Sequence, residues 1–141
     1  MLPRANRPSW RRLVANGAVW TLGYNLIWGV AWFAFMRSEW QVAVTALGRP
    51  LPWTGGVWFL WAVLTVPIGI ALMTYSASRA PRQTGAAVGA AIAIWLVLAL
   101  AMAAYSSSQS LPLRVIVLDA SVNLVAMVTA ALAGAWSQRE A

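Results

Sequence analysis

The chain has 141 residues, of which 61% are hydrophobic and 9% charged, against about 25% charged in an ordinary soluble domain. So little charge cannot dress a water-facing surface, and the apolar stretches lack a polar face, so lipid rather than water is the expected solvent. The net charge of +7 does not point to nucleic acid, because every Arg lies outside the apolar stretches, where membrane edges are expected.

The residue types that are missing narrow the chemistry further. There is no Cys and no His, and all ten basic residues are Arg. This removes thiolate metal sites, cysteine nucleophiles, the usual haem and zinc ligands, the usual general base and a Schiff-base lysine. No G-x-S-x-G or H-E-x-x-H pattern and no paired carboxylates occur. The expectation is a protein that is not an enzyme and holds no cofactor and no metal.

In chain order, residues 1–13 carry Arg4, Arg7, Arg11 and Arg12 and read as a retained cytoplasmic tail. The apolar stretch that follows is about twice a signal-peptide core and has no clean cleavage site. A first membrane span is expected over 14–36, closed by Arg37. On it Thr21, Asn25, Trp28 and Trp32 share one face, and Gly17, Gly23 and Gly29 permit close approach of neighbours. Residues 38–48 are too few to cross. Ser38 and Gln41 have capping-box spacing and Gly48 suits a helix C-cap, so a short amphipathic helix on the outer surface is expected.

The second span is expected over 56–75, with Thr54 as N-cap. Pro67 near its middle removes a backbone hydrogen bond and predicts a kink, with Thr65 placed to satisfy a freed group. Positions such as Leu72 are expected to face lipid. A polar turn with Arg79 and Arg82 leads to a third span over 85–105. It opens on Gly85-x-x-x-Gly89, extended by Ala93, a small-residue stripe suited to packing within the bundle or to an oligomer face. Pro112 fits the first turn of a fourth span over 113–136. Each span covers a hydrocarbon core of ~30 Å at about 1.5 Å per residue.

The fourth span holds Asp119, the only acidic residue inside an apolar run, with Asn123 one turn on and sharing its helix face. A carboxylate at that depth costs about 2.5–3.5 kcal/mol on insertion scales and is expected to face protein or trapped water. Asn25, Asn123 and Pro67 are all expected near the midplane, with Asp119 a turn nearer the outside. Two readings follow: a polar cavity lined by a helix broken at Pro67, or interhelical hydrogen bonds that hold the bundle. A structural ion pair of Asp119 with Arg114 or Arg37, or simply a protonated, hydrogen-bonded carboxyl, is a third. Of the ten Trp residues, Trp10, Trp40, Trp53, Trp58 and Trp136 are expected at interfaces. Trp20, Trp28, Trp32, Trp61 and Trp95 lie deeper, where a cation-binding aromatic cage is an alternative.

Together these readings give an all-α integral membrane four-helix bundle, one domain over 1–141, with a short interfacial helix after the first span. Seven Arg on one side against three on the other place both termini in the cytoplasm, in what reads as a bacterial inner membrane. The lipid bilayer is the expected partner, with a homo-oligomer or larger membrane complex beside it and no nucleic acid. The first function expected is a non-catalytic subunit or interaction protein of a membrane complex. The second is a small transporter or channel with an intramembrane carboxylate at Asp119.

Overall fold

The computed structural model describes residues 9–79 and 81–140. Arg4 and Arg7 of the expected cytoplasmic tail lie outside the described residues. The elements are α1 (Trp10–Ala31), a π-helical segment (Trp32–Met36), α2 (Arg37–Ala46), α3 (Gly55–Ala77), α4 (Gln83–Ser108) and α5 (Leu113–Glu140). Four helical stretches are long and apolar enough to cross a membrane: Trp10–Ala46, Gly55–Ala77, Gln83–Ser108 and Leu113–Arg139. The protein is an all-α bundle of four membrane-spanning helices. Comparison with the expected spans shows each helix extended by a few residues into its polar flanks.

The short helix after the first span is present as α2, but no loop precedes it. Arg37 does not end the helix. The chain runs through the π segment into α2, and Ser38, expected to cap a new helix, donates to the Phe35 carbonyl one turn back. The cause lies in the spacing of the buried residues. Trp20, Tyr24, Trp28, Trp32, Met36, Trp40 and Val44 are all buried and recur at every fourth position. In an α-helix of 3.6 residues per turn, each step of four rotates the stripe by about 40°. The wider π turn at Trp32–Met36 absorbs part of that drift and keeps Trp40 and Val44 on the bundle. That face of α2 therefore meets protein.

Both loops on the α2 side end their helices by the same motif. Gly48, at φ +64°, donates to Thr45, and Arg49 donates to Val44, a Schellman arrangement in which the left-handed position takes glycine. After α4 the same pair of bonds runs from Ser110 to Ser107 and from Leu111 to Ser106, with Ser110 at φ 60°. Arg49 then reaches across to Gln109, 2.8 Å from its Oε1. Thr54 caps α3 as expected, accepting from the Val57 N–H at 3.5 Å. At the opposite end Ser137 donates to Asn16 at 3.0 Å, Ser76 donates to Gln138 at 2.9 Å and Arg139 donates to Thr84 at 2.7 Å.

In the ring of helices, α1 packs on α3 and α5, and α4 packs on α5 and less extensively on α3. The α1–α3 crossing is made at Gly17 and Gly69. A Cβ on Gly69 would lie 2.7 Å from the Gly17 carbonyl oxygen, and one on Gly17 would lie 2.8 Å from the Ile70 backbone. Without a hydrophobic drive between helices in lipid, such close approach is how they gain contact. Gly85 and Gly89 meet nothing within 4 Å and, with Ala93, face outward. Packing within the bundle therefore does not use that stripe; Ala87, Ala91 and Ser106 are the buried positions of α4. Leu72 is also corrected: it is buried in the core, not turned to lipid.

Candidate functional site

Helix α1 carries polar side chains toward two neighbours. Toward α3, the Thr21 hydroxyl is shared between the Gly17 carbonyl at 2.9 Å and the Thr65 carbonyl at 3.3 Å. The Asn25 amide donates to the Thr21 carbonyl at 2.8 Å and to the Thr65 hydroxyl at 2.9 Å. The Thr65 hydroxyl in turn donates to Ala62 at 2.7 Å. These bonds clasp α1 to α3. Pro67 takes no part in them: it is exposed, and α3 runs through it without interruption. The reading of a helix broken at Pro67 and lining a cavity is thereby corrected.

Toward α5, the Tyr24 hydroxyl donates to Asn123 Oδ1, with the Tyr24 ring stacked on Trp20 at 5.3 Å between centroids. The Asn123 amide donates to the Asp119 carbonyl at 2.9 Å and to its carboxylate Oδ2 at 3.2 Å. The second carboxylate oxygen, Oδ1, is buried and has no hydrogen-bond partner. Arg114 is paired with Glu39 instead, and Asp119 forms no salt bridge among the described residues. The expected ion pair with Arg114 or Arg37 is absent there. Asn25 and Asp119 thus belong to different clusters, on different sides of α1, and Asn25, Asn123, Pro67 and Asp119 do not converge on one polar cavity.

Asp119 and Asn123 open onto a cavity in which the centre of a water molecule can range over about 50 Å³, room for a few waters. Five tryptophans form much of its wall: Trp28 from α1, Trp40 from α2, Trp53 from the loop before α3, Trp61 from α3 and Trp95 from α4. Trp95 donates its indole N–H to the Ala120 carbonyl at 2.7 Å. The indole N–H groups of Trp28, Trp40, Trp53 and Trp61 are buried without an acceptor. Buried polar atoms are hydrogen-bonded in the great majority of cases. Of the six such side-chain atoms without a partner among the described residues, these four donors and Asp119 Oδ1 belong to residues that line the cavity, the sixth being the Trp20 indole N–H. The cavity is therefore the candidate site.

The tryptophans expected at interfaces divide. Trp10 and Trp136 are exposed, whereas Trp40 is 4% exposed and Trp53 and Trp58 turn inward. The rings of Trp28 and Trp53 lie 5.0 Å apart, those of Trp28 and Trp58 4.6 Å, and those of Trp28 and Trp32 5.6 Å. These offset and edge-on contacts add about 0.5–1.5 kcal/mol per pair beyond burial and hold the wall in place. A second hollow lies beside the cavity toward the two loops, and Trp40, Trp53 and Met102 line both. It is bordered by Arg49 and Gln109, the pair that bridges those loops.

Sequence reasoning missed Tyr24 as the partner of Asn123. The signal for it was the aromatic stripe at every fourth position, on which Tyr24 stands between Trp20 and Trp28. Comparison with protein-family models, with characterised proteins and with solved structures finds no match. Composition, fold and cavity define a small integral membrane protein, and its function has to be argued from the site itself.

Proposed function

We propose that this protein is a small, non-catalytic transporter or channel, with Asp119 as the charge-bearing group of its site. The observation that carries this reading is the unpartnered Asp119 Oδ1 on a cavity inside the bundle. An acidic side chain in a spanning helix is costly and tends to mark an ion or substrate path. A purely structural carboxylate would be expected to have both oxygens bonded, as Thr21, Asn25 and Thr65 are bonded on the other side of α1. The test is proton- and sodium-coupled flux in liposomes holding the purified protein. Flux carried by the parent and abolished in Asp119→Asn, with both proteins equally folded, is the expected result. Equal flux in both would remove Asp119 from the path.

A second reading, as a subunit of a larger assembly or homo-oligomer, draws on the outward stripe Gly85, Gly89 and Ala93, where a neighbouring helix has room to approach. The two readings are compatible in an oligomeric transporter. We also place both termini in the cytoplasm of a bacterial cell, on the Arg distribution alone. A tag at Met1 or Ala141 should then be protected from external protease in intact cells, and a probe at Thr45 should be reached; cleavage of either tag from outside would reverse the orientation.

A further inference from the structure

We propose that the Asp119 cavity binds a small organic ammonium ion that carries an oxygen acceptor on a short arm. The inference rests on the reading of that cavity as the protein's ligand site. Three properties of the wall select the ligand class.

The first is charge. Among the described residues, Asp119 is the only ionisable side chain on the cavity, and no Arg lines it. Its second carboxylate oxygen is buried without a hydrogen-bond partner, and no positive side chain among the described residues pairs with it. A carboxylate in a poorly hydrated site favours a cationic partner, and the attraction between the two charges is less screened there than in water, whether or not the cation carries an N–H.

The second is the kind of cation. A metal ion such as calcium takes six to eight oxygen ligands, and magnesium demands a near-ideal octahedron. Here the side-chain oxygens are few, and Asn123 Oδ1 is already taken by Tyr24. What surrounds Asp119 instead is indole, with Leu98, Met102, Ile116 and Met127. Aromatic faces attract ammonium groups, most strongly when desolvated, and apolar side chains suit their carbon substituents. The five tryptophans come from the continuous α1–α2 stretch, the loop before α3, α3 and α4 and meet in the folded bundle, so the cage is a product of the tertiary structure.

The third is the arrangement of donors. The Trp40 and Trp53 indole N–H groups are buried and lack acceptors, and both residues line the boundary between the cavity and the neighbouring hollow. An N–H edge repels a cation and attracts an oxygen. A ligand whose ammonium sits at Asp119 and whose oxygen reaches toward Trp40 and Trp53 satisfies both ends. The adjacent hollow, bridged on its loop side by Arg49 and Gln109, accommodates the arm and supplies the approach.

This chemistry occurs both in free solutes and in the headgroups of choline lipids. The probe is choline, titrated against the whole protein in nanodiscs made only of phosphatidylglycerol, which has no ammonium group. Binding is read by intrinsic tryptophan fluorescence and by the shift in melting temperature. We expect saturable binding of choline, with little response to sodium or to 3,3-dimethylbutan-1-ol, the uncharged carbon analogue. Asp119→Asn should weaken binding about tenfold or more, as loss of the one opposite charge beside the ammonium would, while melting as the parent does. Repeating the titration in phosphatidylcholine nanodiscs assigns the source: loss of the choline response there points to a lipid headgroup, and an unchanged response points to a free solute. An equal response to the uncharged analogue, or an unaltered affinity in Asp119→Asn, would overturn the proposal. If choline fails to bind while Asp119-dependent proton or sodium flux persists, the ammonium inference falls and the transport reading stands. If both are absent, both fall.

Discussion

On the α3 side of α1, Thr21, Asn25 and Thr65 bond to one another and to backbone carbonyls, around a crossing where Gly17 and Gly69 bring the two backbones together. On the α5 side, Tyr24, Asn123 and Asp119 form a chain of bonds that stops short, leaving one carboxylate oxygen and a set of indole N–H groups open around a cavity. Both clusters are polar, both lie inside spanning helices, and they are built from neighbouring residues of α1. The difference is completeness. In lipid, a polar group that finds its partner within the chain is accounted for by helix association. One that stays buried without a partner needs a different explanation, and apart from the Trp20 indole N–H at the α1–α3 crossing, those among the described residues belong to residues that line the cavity. The polarity of an intramembrane residue is therefore a poorer guide to its role than whether the fold has satisfied it.

The largest effect should come from closing the α1–α3 crossing to approach. Gly69→Ala places a methyl 2.7 Å from the Gly17 carbonyl oxygen and 2.8 Å from Thr21 Oγ1, and neither helix can yield without moving the other. Overpacking of this kind costs about 1–3 kcal/mol, read as a lower melting temperature in detergent. Gly89→Ala, with nothing within 4 Å, should melt within about 0.5 kcal/mol of the parent. Similar losses from both would mean that the two glycines do not differ in packing, and the closed character of the α3 side would be lost from the comparison. A loss from Gly89→Ala alone, accompanied by dissociation, would instead place a partner on the outward stripe.

A smaller effect is expected from the clasp itself. Thr65→Val removes the acceptor of Asn25 and the donor to Ala62 while keeping the shape. Intramembrane side-chain bonds average about 0.6 kcal/mol and reach about 1.7, so the melting temperature should fall modestly. Choline binding and flux should not change.

Much of this was legible in the sequence, and the rest was not for identifiable reasons. Four spans, the Thr54 cap and the Gly48 C-cap follow from apolar length and from local backbone chemistry, which short windows contain. The Asp119–Asn123 pair follows from helical periodicity. The inward turn of Trp40, Trp53 and Trp58 does not, because an interfacial tryptophan and a tryptophan at the end of a core have the same local setting; tertiary packing alone separates them. The continuity of α1 into α2 was hidden by Arg37, Ser38 and Glu39, a polar run that resembles a span's end. The buried residues at every fourth position argued against a break there, and the π segment is what that spacing required. Pro67 misled in the opposite sense. Its missing N–H suggested a broken helix, yet an exposed position on α3 leaves the cavity untouched.

The most direct test places one variant from each side of α1 in the same nanodiscs and measures two properties of each. Asp119→Asn and Thr65→Val are compared with the parent for melting temperature and for choline affinity. The account requires a crossed result: Asp119→Asn melts no lower than the parent but loses binding, and Thr65→Val melts lower but binds as the parent does. If Asp119→Asn loses stability while ligand affinity is unmoved, the open carboxylate is structural after all, and the distinction drawn between the two sides of α1 is contradicted.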